Sequence, residues 1–165
     1  MPSVSSSRPS NIVLFVALVA SALVLGPALA HVMELPNKID LPRDEYFIVQ
    51  KVYRGWSQIG WVLIVQVAAL VAAAIQERSD RRVMLLTILA LACVVAAQGF
   101  FWTFTYPANV ATANWTVIPD DWQGLRARWE FSHAAGALLQ CLGFCLLVGA
   151  VLVRSRRHSL RSYYF

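Results

Sequence analysis

The sequence predicts an all-α membrane protein: a four-transmembrane-helix bundle with both termini cytoplasmic and two longer outer loops. Three observations lead to that fold. Residues 11–30, 56–75, 83–104 and 133–153 form four apolar stretches without a single Asp, Glu, Lys or Arg. Each has about 20 residues, enough to cross a hydrocarbon core of roughly 30 Å as a helix. The composition is 58% hydrophobic and 14% charged, whereas a soluble domain carries about 25% charged residues. The charges are also unevenly spread. With the N-terminus inside, the inner segments hold Arg8, Arg78, Arg81, Arg82, Arg154, Arg156, Arg157 and Arg161 against only Glu77 and Asp80. The other basic residues lie in outer segments where the acids outnumber them. That asymmetry is the positive-inside pattern.

The chain then reads as three parts. Residues 1–10 are polar and expected to be a disordered tail. Residues 11–153 form the membrane domain, with helices at about 11–35, 43–76, 83–106 and 120–153. Residues 154–165 form a basic cytoplasmic tail that suits anionic lipid, so the net charge of +5 calls for no nucleic acid. Helix 1 is expected to end between His31 and Leu35, because Pro36 disfavours helix in the residue before it. A helical pattern resumes at Arg43, with Tyr46, Val49, Tyr53 and Trp56 on one face; Gly55 is its weak point. The linker 76–82 is short, so helices 2 and 3 are antiparallel neighbours. Helix 3 ends in an aromatic cluster stopped by Pro107. Asp120 and Gln123 resemble a capping box that starts helix 4 outside the bilayer. Small residues on it (Ala134, Ala135, Gly136, Gly143, Gly149) permit close packing in lipid.

The first stretch has a rival reading. Arg8, the apolar run and Ala28-Leu29-Ala30 resemble a signal peptide with a small-residue cleavage site, which would leave His31 at a new N-terminus. The length of the run and the placement of Pro27 speak against it. Cys93, Cys141 and Cys145 fall inside apolar helices as small packing residues. The absence of a CxxC in an outer loop argues against a disulfide oxidoreductase.

Two histidine–carboxylate pairs carry the functional signal. His31 and Glu34 close the first apolar stretch, while Glu130 and His133 open the last. Each pair is spaced i, i+3 and so shares one helix face. Ionisable groups at the rim of a membrane bundle mark a site by default. Three readings stand. The four side chains are metal ligands, imidazole and carboxylate suiting a transition metal; they perform metal-free acid–base chemistry; or they join Arg54, Arg126 and Arg128 in a structural ion-pair network. The cofactor is therefore open between none and a single transition metal. All six tryptophans (Trp56, Trp61, Trp102, Trp115, Trp122, Trp129) map to the outer half. An interfacial belt would explain them, but belts form on both sides, and the asymmetry favours an aromatic-lined cavity opening outward. Gln66, Gln98 and Gln140 lie within membrane helices, where amides link neighbouring helices; Gln98 is placed to floor a pocket.

The runs 30–56, 106–115 and 121–139 (AHVMELPNKIDLPRDEYFIVQKVYRGW, YPANVATANW and DWQGLRARWEFSHAAGALL) resemble the small four-helix membrane proteins grouped with the anthrone oxygenases. The resemblance covers nearly the whole chain beyond about residue 20. It implies oxygen insertion into an anthrone to give an anthraquinone, without added metal or flavin. The matching positions are His31, Glu34, Asn109, Trp129, Glu130 and His133. The chain departs from the family pattern after His133, where Ala134, Ala135 and Gly136 stand in place of an arginine; Arg126 or Arg128 would have to replace it.

The expectation is thus a multi-pass integral protein of a bacterial inner membrane. It would act as an oxygenase or oxidoreductase on a planar aromatic or quinone-like substrate. His31, Glu34, Glu130 and His133 would be its catalytic groups. Asn109, Trp102, Trp115, Trp129, Arg126, Arg128 and Gln98 would contact the substrate. The alternative is a non-catalytic membrane subunit or scaffold whose His/Glu/Arg network is structural. No Gly/Pro-broken helix pair or inverted repeat points to a transporter.

Overall fold

The computed structural model describes residues 7–163, with side chains described for 11–156. Six α-helices follow one another: α1 (Ser7–Lys38), α2 (Arg43–Gln50), α3 (Ile59–Gln76), α4 (Arg81–Phe100), α5 (Tyr106–Ala111) and α6 (Trp122–Tyr163). Four segments are long and apolar enough to cross a membrane: Asn11–Lys38, Trp56–Gln76, Arg81–Ala111 and Trp122–Arg156. The chain is therefore a multi-pass membrane protein built as an all-α bundle. Around the bundle the order is α1, α3, α4, α6, with α6 closing back onto α1.

The packing follows from the solvent. Between helices in lipid the hydrophobic effect supplies little, so close contact and internal polar links hold the bundle. Small residues sit where the helices meet. Ala17, Ala73, Ala90 and Ala150 are buried, alongside Leu14, Leu70, Val94 and Leu147. The large apolar side chains Phe15, Ile64 and Leu138 point outward. Gly143 on α6 faces α4 so closely that an added Cβ would lie 3.1 Å from the Ala90 carbonyl oxygen and 3.2 Å from Cys93 Cβ. At the arginine-rich end, Arg154 of α6 binds Asn11 of α1 at 2.6 Å and Glu77 at 2.8 Å. Asp80 caps α4 there, accepting from the backbone N–H groups of Arg82 and Val83.

Several boundaries differ from the sequence expectation. Helix α1 does not stop before Pro36 but runs on to Lys38, with Pro27 and Pro36 inside it. The extra turn brings Lys38 into a buried ion pair (below), which outweighs the missing Pro36 N–H. The expected single helix 43–76 is broken. Residues 51–58 form two 3-10 turns, Lys51–Tyr53 and Trp56–Gln58, around Gly55 at φ +91°, a conformation that suits glycine. This break lets α2 fold back over the bundle as a cap. Helix 3 does not end at Pro107. It passes through a π-helical turn, Phe101–Thr105, in which the Tyr106 N–H reaches the Phe101 carbonyl, and continues as α5. Proline has no N–H to keep the regular ladder, and the π turn absorbs the mismatch. Of the expected tail 1–10, residues 1–6 lie outside the described residues and 7–10 begin α1. Of the basic tail, residues 154–163 prolong α6 and 164–165 lie outside.

Gly143→Val should overpack the α4–α6 contact and cost about 1–3 kcal/mol. Thermal unfolding in detergent would show it as a lowered midpoint; an unchanged midpoint would mean that this contact is slack.

Candidate functional site

One end of the bundle gathers nearly everything that the sequence singled out. His31, on the last turns of α1, and His133, on α6, meet ring to ring at a centroid distance of 4.3 Å. Aromatic rings surround them. Tyr53 lies 4.6 Å from His31, Trp129 5.1 Å and Trp56 5.4 Å, and Trp129 lies 4.0 Å from His133. The His133 Nδ1 is 2.9 Å from the Trp129 carbonyl oxygen. A carbonyl only accepts, so Nδ1 carries the proton in this bond, and Nε2 of the neutral ring keeps a free lone pair. The buried His31 Nδ1 has no hydrogen-bond partner.

These histidines line a cavity of about 1100 Å³, ample for a drug-sized ligand. Trp56, Trp61, Trp102, Trp115 and Trp129 line it too, so five of the six tryptophans face one cavity. Trp61 and Trp102 are also broadly exposed, at its mouth between α3 and the π turn. Thr105 and Ser132 meet on the wall at 2.6 Å, and Ser132 donates to the Trp129 carbonyl. Asn109 fixes two of the rings, its Oδ1 accepting from the Trp129 indole at 2.9 Å and the Trp115 indole at 3.3 Å. Gln98 and Gln140 lie deeper in the lining.

The two carboxylates do not join the histidines around a common centre. Lys38 stands between them, 3.2 Å from Glu130 and 3.5 Å from Glu34. Its ammonium also lies 4.5 Å from the Tyr53 ring centroid and 4.9 Å from that of Trp129. Both Lys38 and Glu130 are almost wholly buried. Tyr46 of α2 donates to Glu130 at 2.9 Å and accepts from Gln50; Tyr53 donates to Glu34. Among the described residues no group of three or more His, Cys, Asp or Glu side chains is disposed to hold a metal. The four expected ligands instead split into a histidine pair inside the cavity and a carboxylate pair locked onto a lysine beside it.

Of the arginines, Arg54 lines the cavity, whereas Arg126 and Arg128 turn away from it. Arg126 donates to the Leu41 carbonyl at 2.8 Å and stacks over Trp122 and Tyr46. Arg128 is exposed, facing Asp121 at 4.0 Å. The sequence reading missed Lys38, which it left between two helices, and the polar roles of Tyr46 and Tyr53, which it read as part of one helix face with Val49 and Trp56; Gln50 it did not single out. The i, i+4 spacing of Glu34 and Lys38 was the available signal. No family model, curated protein or solved structure matches the chain. Fold and site thus define the class directly: a four-helix integral membrane protein with one aromatic, histidine-bearing cavity at one end of the bundle.

Two outcomes follow from the buried network. Lys38→Met should destabilise the protein by about 3–5 kcal/mol, because Glu130 is left buried and unpaired. Adding Glu130→Gln should recover much of that loss in detergent unfolding; a double variant no better than the single one would contradict the pairing. The second outcome concerns pH. Burial holds the Tyr46 phenol well above its ordinary range, with the Glu130 carboxylate adding to the effect. Burial likewise raises Tyr53, followed by its bond to Glu34. The folded state thus keeps protons that the unfolded chain releases above about pH 10. Stability from these groups is complete below that pH and declines as pH rises through it. A Tyr46→Phe/Tyr53→Phe variant should show a shallower alkaline fall in unfolding midpoint, and parallel curves would refute the assignment.

Proposed function

We propose that this protein is a membrane oxygenase acting on a planar aromatic ketone of the anthrone type, with His133 as general base. The observation that carries the reading is the His133 geometry: a ring fixed through Nδ1, with the Nε2 lone pair left for a cavity walled by aromatic side chains. A doubly benzylic methylene next to such a base is acidic enough to lose a proton at neutral pH. The resulting carbanion, delocalised into the carbonyl, reduces dioxygen in one-electron steps. Recombination gives a hydroperoxide at the same carbon. Loss of the second C–H proton with cleavage of the O–O bond then leaves a ketone. The balance is one anthrone and one dioxygen to one anthraquinone and one water, and no metal is required. The resemblance of the His31, Glu34, Asn109, Trp129, Glu130 and His133 motifs to the anthrone oxygenases supports the same reading. So does the shape of the cavity, whose tryptophans suit a flat ring.

In this reading His31 stacks beside the base, and the Lys38–Glu34–Glu130 network holds the walls rather than the substrate. The positive-inside pattern places the cavity at the outer face of the membrane, a bacterial inner membrane being the expected host compartment. A metal-dependent variant of the chemistry would use His31 and His133 with one metal. A second reading, a non-catalytic membrane subunit, is favoured by one observation: Lys38, Glu34 and Glu130 bind one another and Tyr46 rather than line the cavity.

Anthrone turnover by protein in lipid nanodiscs separates these readings, followed as oxygen uptake and anthraquinone formation in equal amounts. His133→Ala should lower the rate by about 10²–10⁴-fold, the range of general-base catalysis. Metal content measured alongside by mass spectrometry should be the same in the His31→Ala/His133→Ala variant. A stoichiometric metal lost in the variant would replace the metal-free mechanism. Wild-type turnover no faster than His133→Ala, with the variant merely less stable, would favour the structural subunit.

A further inference from the structure

The deep end of the cavity holds an arrangement that the base chemistry does not use. Ser21 of α1, Gln66 of α3 and Gln140 of α6 form a buried chain well inside the membrane span. Gln66 Nε2 donates to Ser21 Oγ at 3.2 Å and to Gln140 Oε1 at 3.1 Å. Links between helices explain Ser21 and Gln66. They do not explain why Gln140, itself only 5% exposed, also lines the ligand cavity. Its oxygen is taken by Gln66, so the amide N–H₂ is the part left to face a ligand.

We infer that Gln140 is the oxyanion-binding residue of the cavity. Its side-chain N–H₂ holds the substrate carbonyl on the side away from the histidines and stabilises the enolate formed when His133 takes the methylene proton. The inference rests on the function proposed above and adds a catalytic residue to it. The step is an enolisation. The C–H bond breaks, its proton goes to His133 Nε2, its electron pair moves through the ring onto the carbonyl oxygen, and nothing is oxidised.

The spacing fits. His133, Ala137 and Gln140 lie on the same cavity wall, and seven residues of α6 separate the base from the amide, about 10 Å along the helix. A proton-abstracting contact takes about 3 Å of that length, and an N–H···O bond about 3 Å more. An anthrone lying along this wall would set its reacting carbon toward His133 and its carbonyl, across the central ring, toward Gln140. A fixed amide dipole in a low-dielectric site is an effective stabiliser of developing negative charge. Gln98 on α4 lines the same cavity and offers another side-chain amide.

The test is anaerobic, so that no turnover occurs. Anthrone is added to detergent-purified protein under argon, and the enolate absorbance is read against pH. Wild-type protein should lower the pH of half-enolisation relative to anthrone in the same detergent alone. Gln140→Met, similar in length but without a donor, should move it back up by about one pH unit, a tenfold change in the equilibrium. Gln66→Met, which frees the Gln140 carbonyl without touching the cavity, should move it the same way by less; it carries the test if Gln140→Met does not fold. A lowered half-point unchanged by both substitutions would overturn the role of Gln140 while leaving His133 as base. No lowering in the wild type would overturn the inference outright, and the aerobic turnover assay then decides the function separately.

Discussion

The buried contact between Lys38 and Glu130 is the constraint on which the site depends. In a lipid-embedded bundle, apolar surface gains little by leaving one helix for another, so an internal charge pair has unusual leverage over geometry. This one ties the end of α1 to α6. Through Tyr46 it fastens α2, and through Tyr53 the first 3-10 turn. The ammonium also rests against Trp129, whose indole is held by Asn109 and whose carbonyl orients both His133 and Ser132. Cap, walls and histidines are therefore set by one connected chain of contacts that begins at a lysine outside the cavity.

The division of labour between charged and uncharged groups is informative. Lys38, Glu34 and Glu130 are kept beside the cavity and bound to one another, while Lys51 and Arg54 line it. Arg126 binds a backbone carbonyl and Arg128 faces a surface aspartate. The walls offer rings, hydroxyls, amides and imidazoles.

Much of the fold was legible because its cause is local. Twenty uncharged apolar residues form a membrane helix wherever they occur, and the four spans followed from that alone. His31 and His133 were found by i, i+3 spacing, and the clustering of tryptophans pointed to a cavity that five of them line. What was missed has a long-range cause. The run of α1 beyond Pro36 depends on a partner on α6. The break at Gly55 depends on a cap that must fold back, and Tyr46 and Tyr53 read as members of one helix face until their carboxylate partners are in place. The carboxylates were legible as residues but not as a lysine-bridged pair, because Lys38 fell between two expected helices. Pro107 was read as a terminator, whereas a π turn carries the helix past it.

The closing of α6 back onto α1 has a consequence for assembly. The bundle's first and fourth spanning helices are neighbours, so the site cannot exist until the fourth span has been made. Lys38 leaves the ribosome 92 residues before Glu130, a delay of roughly 5–20 s at ordinary elongation rates. During that interval the buried position of Lys38 is not yet built, and its ammonium has only Glu34, Tyr53 and water. Insertion of the last helix therefore does more than add a span. It is the event that removes a lysine from water, closes the ring of helices and brings two histidines face to face, so insertion of that span and site formation are one step.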